Sequence, residues 1–240
     1  MAEVTVIGGG LAGLAAAAAL GGAGYQVDVF ETRWFLGGRA TSYPVTAAAE
    51  TIDNCQHILL RCCVNLLDFY QRLQVRDRIR FHREFFFIEP GGRTSTLKSG
   101  IFPAPAHFTE SFAKLRFLTL ADKLSLARGI LALRREHGRR ADLDHITMAD
   151  WLREKRQTPR AIERFWRQVL VSAINEELDR MAAAHGFQVF RLGFLASPHS
   201  SDMGVPAVPL GDLYTSEAWS RLPGVTLRTR ETIKEVIIED

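Results

Sequence analysis

The first 31 residues constrain the fold more than any other stretch of the chain. Val4-Thr5-Val6-Ile7 is a β-branched run of strand type. Gly8, Gly10 and Gly13 follow in the pattern G-x-G-x-x-G, and Leu14 to Leu20 is rich in the helix formers Ala and Leu. Gly21, Gly22 and Gly24 are expected to end that helix. Tyr25 to Phe30 reads as a second strand with Glu31 at its end, 18 residues beyond Gly13. Strand, glycine turn, helix, strand and acid in this order form a dinucleotide-binding unit. Gly8 permits the tight turn, Gly10 removes a side chain where a pyrophosphate approaches, and Gly13 lets helix and strand pack closely. Free backbone N–H groups and the helix dipole would face the phosphates, and Glu31 would accept from a ribose diol. The bland alternative is a glycine-rich α/β turn that holds nothing.

Composition narrows the class. Hydrophobic residues make up 47% of the 240 and charged residues 24%, ordinary usage for a chain that buries a core. The longest apolar stretch, Val4 to Leu20, is broken by four glycines and follows Glu3, so it reads as neither span nor signal peptide. A net charge of +3 gives no reason to expect nucleic acid. The basic excess is local. Between Ser111 and Arg140 eight basic residues (Lys114, Arg116, Lys123, Arg128, Arg134, Arg135, Arg139, Arg140) face only Asp122 and Glu136. Three cysteines, Cys55, Cys62 and Cys63, with no secretion signal, suggest a reducing, cytoplasmic compartment. His57 lies between Cys55 and Cys62, but the spacing fits no zinc template, so no metal is expected.

Arg33-Trp34-Phe35-Leu36-Gly37-Gly38-Arg39-Ala40-Thr41-Ser42 places a second glycine pair, flanked by arginines, just after the ribose-binding acid. Here the sequence resembles the flavin-containing amine oxidase and phytoene desaturase superfamily. The resemblance implies FAD. Residue by residue it implies adenosine and phosphate contacts at Gly8, Gly10, Leu11, Ala12, Gly13 and Glu31. It also implies pyrophosphate or flavin-side contacts at Gly38, Arg39 and Ala40. Farther on, Asp53-Asn54-Cys55-Gln56-His57 and Pro103-Ala104-Pro105-Ala106-His107 are the more discriminating segments. With Met148 to Leu152, Phe165 to Leu170, Met203 to Leu210 and Asp212 to Tyr214, they resemble the squalene-associated FAD-dependent desaturase group. That resemblance runs from Val4 to Asp240 and implies hydroxysqualene dehydroxylation: reduced FAD delivers a hydride to an allylic carbon as hydroxyl leaves. It places the chain in squalene and hopanoid biosynthesis, with a hydrophobic isoprenoid substrate.

Loss of hydroxide needs a proton donor. His57, with Asp53 and Gln56 beside it, is the candidate; the competing reading is that the cluster orders the strand entry. His107, between prolines and Phe108, reads as a loop hydrogen-bonder. The alternatives are a carotenoid desaturase or an amine oxidase of the same superfamily, and, from another class, a non-catalytic nucleotide-binding chain needing a partner.

Ser111 to Arg135 reads as two amphipathic helical pieces. Leu126, Ile130 and Leu133 share one face, and Leu124, Ala127 and Leu131 an adjacent stripe. With its basic flanks, residues 111–140 could lie peripherally on the inner face of a membrane, or pack on the core with solvated arginines. Trp151, Phe165, Trp166, Phe187, Phe190 and Phe194 either line a terpenoid tunnel or fill a core. Val225 to Arg230 and Ile233 to Ile238 read as a hairpin. The expected architecture is α/β: a Rossmann-like FAD/NAD(P)-binding fold from 1–58, an inserted helical substrate region from 59–222, and strands returning at 223–240. By resemblance, the C-terminal part of the family fold is missing.

Overall fold

Val27 and Val29, almost fully buried, lie on the central strand of a three-stranded parallel sheet. The computed structural model describes residues 2–47, 49–55 and 57–237. The sheet pairs Gln26–Glu31 with Glu3–Ile7 on one side and Val225–Thr229 on the other. The helix Leu11–Gly22 lies against it, with Leu14, Ala17 and Ala18 fully buried. Alanine is small enough to let a helix backbone approach a sheet closely. Gly21 belongs to this approach: a Cβ there would sit 2.4 Å from Cγ2 of Val225. Gly21 and Gly22 are therefore inside the helix, and the chain leaves it through Gly24 at φ +90°.

The expected hairpin is corrected. Val225–Thr229 runs parallel to Gln26–Glu31, and 231–237 form no strand; Ile238 lies outside the described residues. Glu231-Thr232 offers neither residue of a tight hairpin turn. Instead Arg230 N donates to Arg33 O and Glu231 N to Glu31 O, so the chain runs on along the central strand.

The chain divides into two units, Met1–His82 with Met203–Asp240, and Arg83–Asp202. The inserted region is thus shorter than 59–222. Residues 59–82 and 203–222 belong with the sheet unit, because Met203–Pro206 pairs antiparallel between Leu59–Leu60 and Ile79–His82. The helix Val64–Arg72 adds Phe69 and Tyr70 to the same core as Leu14, Val29, Tyr214 and Trp219.

The second unit holds the hairpin Glu84–Ile88/Thr94–Lys98 and a set of helices. Its aromatics fill its core. Trp151 and Trp166 are fully buried, Trp151 meets Phe187 edge-on at 5.0 Å, and Trp166 meets Phe190 at 4.7 Å. The indole N–H groups donate to Glu136 and Gln157, both at 2.8 Å. These rings cover one another, which favours the core reading over a tunnel: mutual burial leaves none of the six candidate rings more than 8% exposed.

The long helix Leu120–Glu136 starts with a capping box between Thr119 and Asp122. Asp122 Oδ2 accepts from Thr119 N at 2.8 Å, and Oδ1 accepts from Thr158 Oγ1 at 2.6 Å. Burial works against its charge, but these hydrogen bonds and nearby Arg160 outweigh burial and hold its pKa below the ordinary aspartate value. A depressed carboxylate stabilises the fold above its unfolded pKa and loses that contribution as pH falls through the folded one. Asp122→Ala is therefore expected to remove about 2 kcal/mol at neutral pH. Urea unfolding should show the gap from wild type closing as the pH is taken below about 4. No helix among the described residues is long and apolar enough to cross a membrane.

Candidate functional site

The turn after the first strand is built by backbone bonds. Gly8 N donates to Phe30 O at 2.8 Å, and Gly8 sits at φ +104°, a conformation open to glycine. Gly9 N donates to Glu31 Oε2 at 2.8 Å, and Arg33 N donates to Glu31 Oε1 at 2.7 Å. The carboxylate at the strand end is thus oriented by two amides. Each oxygen keeps a lone pair for a further donor such as a ribose hydroxyl.

Gly10 caps the helix in an extended conformation with no side-chain cap. The first-turn amides of Leu11, Ala12 and Gly13 have no acceptor within the helix and carry the positive end of its dipole. A Cβ added at Gly8 or Gly10 would meet nothing within 4 Å. At Gly13 it would lie 2.0 Å from Gly8 O. The three glycines therefore do separate jobs: conformation at Gly8, open space at Gly10, close packing at Gly13.

The second glycine pair folds onto the first. Gly37 N donates to Gly9 O at 2.8 Å, and a Cβ on Gly38 would come within 3.2 Å of Gly10 Cα. Gly37 and Gly38 have φ of +93° and +62°. Gly37, named in the sequence only as half of the glycine pair, has a packing task as well: its Cβ would strike Ala40 O at 2.5 Å and the Tyr214 ring at 2.8 Å. Of the residues after it, Arg39 is exposed while Ala40 and Thr41 are buried. Open space over the turn, unpaired amides and an oriented carboxylate fit the adenosine diphosphate half of FAD.

Asp53 ties two loops together. Its Oδ1 accepts from Ser42 Oγ at 2.7 Å and from Leu210 N at 2.9 Å, while Ser42 Oγ accepts from Gly211 N at 2.9 Å. These bonds pin the hairpin Ser42–Val45/Glu50–Asp53 to the turn Leu210–Tyr214. Asn54 adds a bond from Nδ2 to Arg39 O at 3.0 Å, bracing the second glycine segment. His57 Nδ1 donates to Cys55 O at 2.9 Å, which leaves Nε2 as the imidazole's remaining site. Gln56 lies outside the described residues, and the structure assembles no Asp53–His57 pair.

His107 differs from expectation. It is fully buried against Phe108, ring centroids 4.3 Å apart, and neither ring nitrogen has a hydrogen-bond partner among the described residues. Burial, then the charge of His199, lowers its pKa, so it is neutral at pH 7. Its sequence between prolines and an aromatic gave no sign of that burial. Tyr70 and Tyr214 hydroxyls lie 3.3 Å apart, and burial raises both above the ordinary tyrosine value, so neither ionises near neutrality.

The vicinal thiols Cys62 and Cys63 are joined by a hydrogen bond that pushes their pKa values apart. A hydrogen bond from Cys62 lowers Cys63 to about 6, while the same contact, then burial, pushes Cys62 up. Iodoacetamide at pH 7 should therefore modify Cys63 well before Cys62; peptide mass mapping showing the reverse order would contradict this. Among the described residues no three His, Cys, Asp or Glu side chains converge as metal ligands.

Known proteins resemble this chain in sequence and in fold. The family model described as flavin containing amine oxidoreductase matches residues 11–231. A probable zeta-carotene desaturase of Synechococcus elongatus is 28% identical, with 98% of this chain and 51% of that protein aligned. A hydroxysqualene dehydroxylase of Zymomonas mobilis is 36% identical over 87 residues, 36% of this chain and 21% of that protein. A crystal structure of an oxidoreductase from Methanosarcina mazei shares the fold at a TM-score of 0.68 and 18% identity, covering 99% of this chain and 53% of that one. The chain spans a third to a half of the length of the curated zeta-carotene desaturases it matches.

Proposed function

Because the chain belongs to the flavin containing amine oxidoreductase family, with FAD as cofactor, we propose that it serves an oxidoreductase acting on a linear polyisoprenoid. The observation that carries the flavin part is the open space over Gly8 and Gly10 beside the oriented Glu31 carboxylate. The amides of Leu11, Ala12 and Gly13 would hold the phosphates, Glu31 the ribose, and the Gly37–Gly38 turn the pyrophosphate. Asp53, Ser42 and Asn54 keep the second glycine turn in place. Bound FAD supplies the two-electron redox chemistry, taking hydride from or giving it to a substrate carbon.

Two reactions fall in this class. Desaturation of a carotenoid precursor is supported by the extent of similarity, since a zeta-carotene desaturase aligns with 98% of the chain. Dehydroxylation of hydroxysqualene, the reading the sequence favours first, is supported by the D-N-x-Q-H and P-A-P-x-H segments and by a higher identity, 36%, over a shorter stretch.

Product analysis decides between them. The flavin-loaded protein is given hydroxysqualene with a chemical reductant, or zeta-carotene with an oxidised quinone. Squalene from the first supports dehydroxylation, and an added carbon–carbon double bond in the second supports desaturation. Flavin binding without turnover of either would sink both and support a nucleotide-binding chain that works with a partner.

A further inference from the structure

The helix Leu120–Glu136 presents leucines to solvent on the side away from its core. Its buried face consists of Asp122, Ser125, Leu126, Gly129 and Leu133. The other side carries Leu120 at 73% exposure, Leu124 at 57% and Leu131 at 48%, with Ala127 also exposed. At about 100° per residue these four positions fall in one strip roughly 60° wide. Arg128 and Arg135 border the strip on one side, Lys123 and Arg134 on the other. The two sequence stripes thus separate: Leu126 and Leu133 are core, and Leu124, Ala127 and Leu131 are surface.

Charge on this side has one sign. Asp122 is buried in the capping box, and Glu136 pairs with Arg140 and Lys155 on the inner side. Not every basic residue of the 111–140 segment is available. Arg140 is held by Glu136, Asp142 and Glu154, Lys114 by Glu110, and Lys123 Nζ donates to Ala113 O. Arg128, Arg134 and Arg135 form no ion pair among the described residues.

We propose that this face of Leu120–Glu136 docks on an anionic lipid bilayer, with Leu120, Leu124 and Leu131 entering the headgroup–acyl boundary and the three free arginines meeting lipid phosphates. A leucine strip between two cationic rows is the pattern of a helix lying in a membrane interface. A second copy of the chain would set the same three guanidiniums against their equivalents, so like charge opposes self-association here. The proposal does not depend on which isoprenoid is the substrate.

The test is co-sedimentation of the full chain with phosphatidylglycerol–phosphatidylcholine vesicles and with phosphatidylcholine alone. Binding should require the anionic lipid and fall at high salt. The triple variant R128Q/R134Q/R135Q, all three positions exposed, should lose about a hundredfold in vesicle affinity, about fivefold per arginine. Leu124→Gln with Leu131→Gln should weaken binding while leaving the circular dichroism spectrum unchanged. No binding to anionic vesicles, or undiminished binding by the triple variant, overturns the proposal. So does concentration-dependent dimerisation abolished by the leucine pair, which would assign the face to a second copy.

Discussion

Gly13→Ala is expected to lower the stability of the sheet unit by about 3 kcal/mol or more, although alanine normally favours a helix over glycine by about 1 kcal/mol. The sign of the effect is therefore diagnostic. A Cβ at Gly13 would stand 2.0 Å from Gly8 O and 3.2 Å from Val6 Cγ1, and the nearer atom is backbone that cannot rotate aside. The helix would have to lift, and Leu14, Ala17 and Ala18 would lose their packing on Val27 and Val29. A loss of that size is a large fraction of the 5–15 kcal/mol typical of a domain. Urea unfolding measures it directly. A stability equal to or above wild type would mean that helix and turn are not packed as described.

Gly10→Val should do the reverse: keep the fold and lose the flavin. Gly10 has φ −77° and ψ 173°, extended backbone that a β-branched residue adopts readily, and nothing lies within 4 Å of its Cβ position. The added side chain stands in the space where the pyrophosphate must meet the amides of the first helical turn. Losing charge-assisted hydrogen bonds there should weaken FAD binding about 100-fold or more. The unfolding midpoint should stay near wild type. A variant that binds FAD normally would show that the phosphates lie elsewhere.

The contrast between these two glycines was readable in the motif, because each position has a fixed task that follows from the turn. The caps at Thr119, Thr147 and Thr158 are local in the same sense: each threonine hydroxyl accepts from the amide three residues on. What the sequence hides is long-range. Asp53 meets Leu210 across 157 positions and Ser42 meets Gly211 across 169, so a structural tie looked like part of an acid–base cluster. Alternation marks Val225–Thr229 as a strand but does not say that it pairs parallel with Gln26–Glu31. Periodicity draws two apolar stripes on Leu120–Glu136 without saying which one meets the core. An aromatic-rich segment gives the same pattern whether its rings line a channel or, as with Trp151, Trp166 and Phe190, bury one another. His107 looked polar and loop-bound because its neighbours in sequence do not reveal that its imidazole is fully buried, with the Phe108 ring near it.

The glycine turn and Glu31 are expected to hold FAD by its adenosine diphosphate half. Titrating the purified chain with FAD, followed by quenching of flavin fluorescence, and then competing with ADP or with riboflavin tests it most directly. Saturable quenching that ADP reverses and riboflavin does not is the expected result. Quenching reversed by riboflavin and indifferent to ADP would contradict it, because the grip would then be on the isoalloxazine and not at the turn formed by Gly8, Gly10 and Gly13.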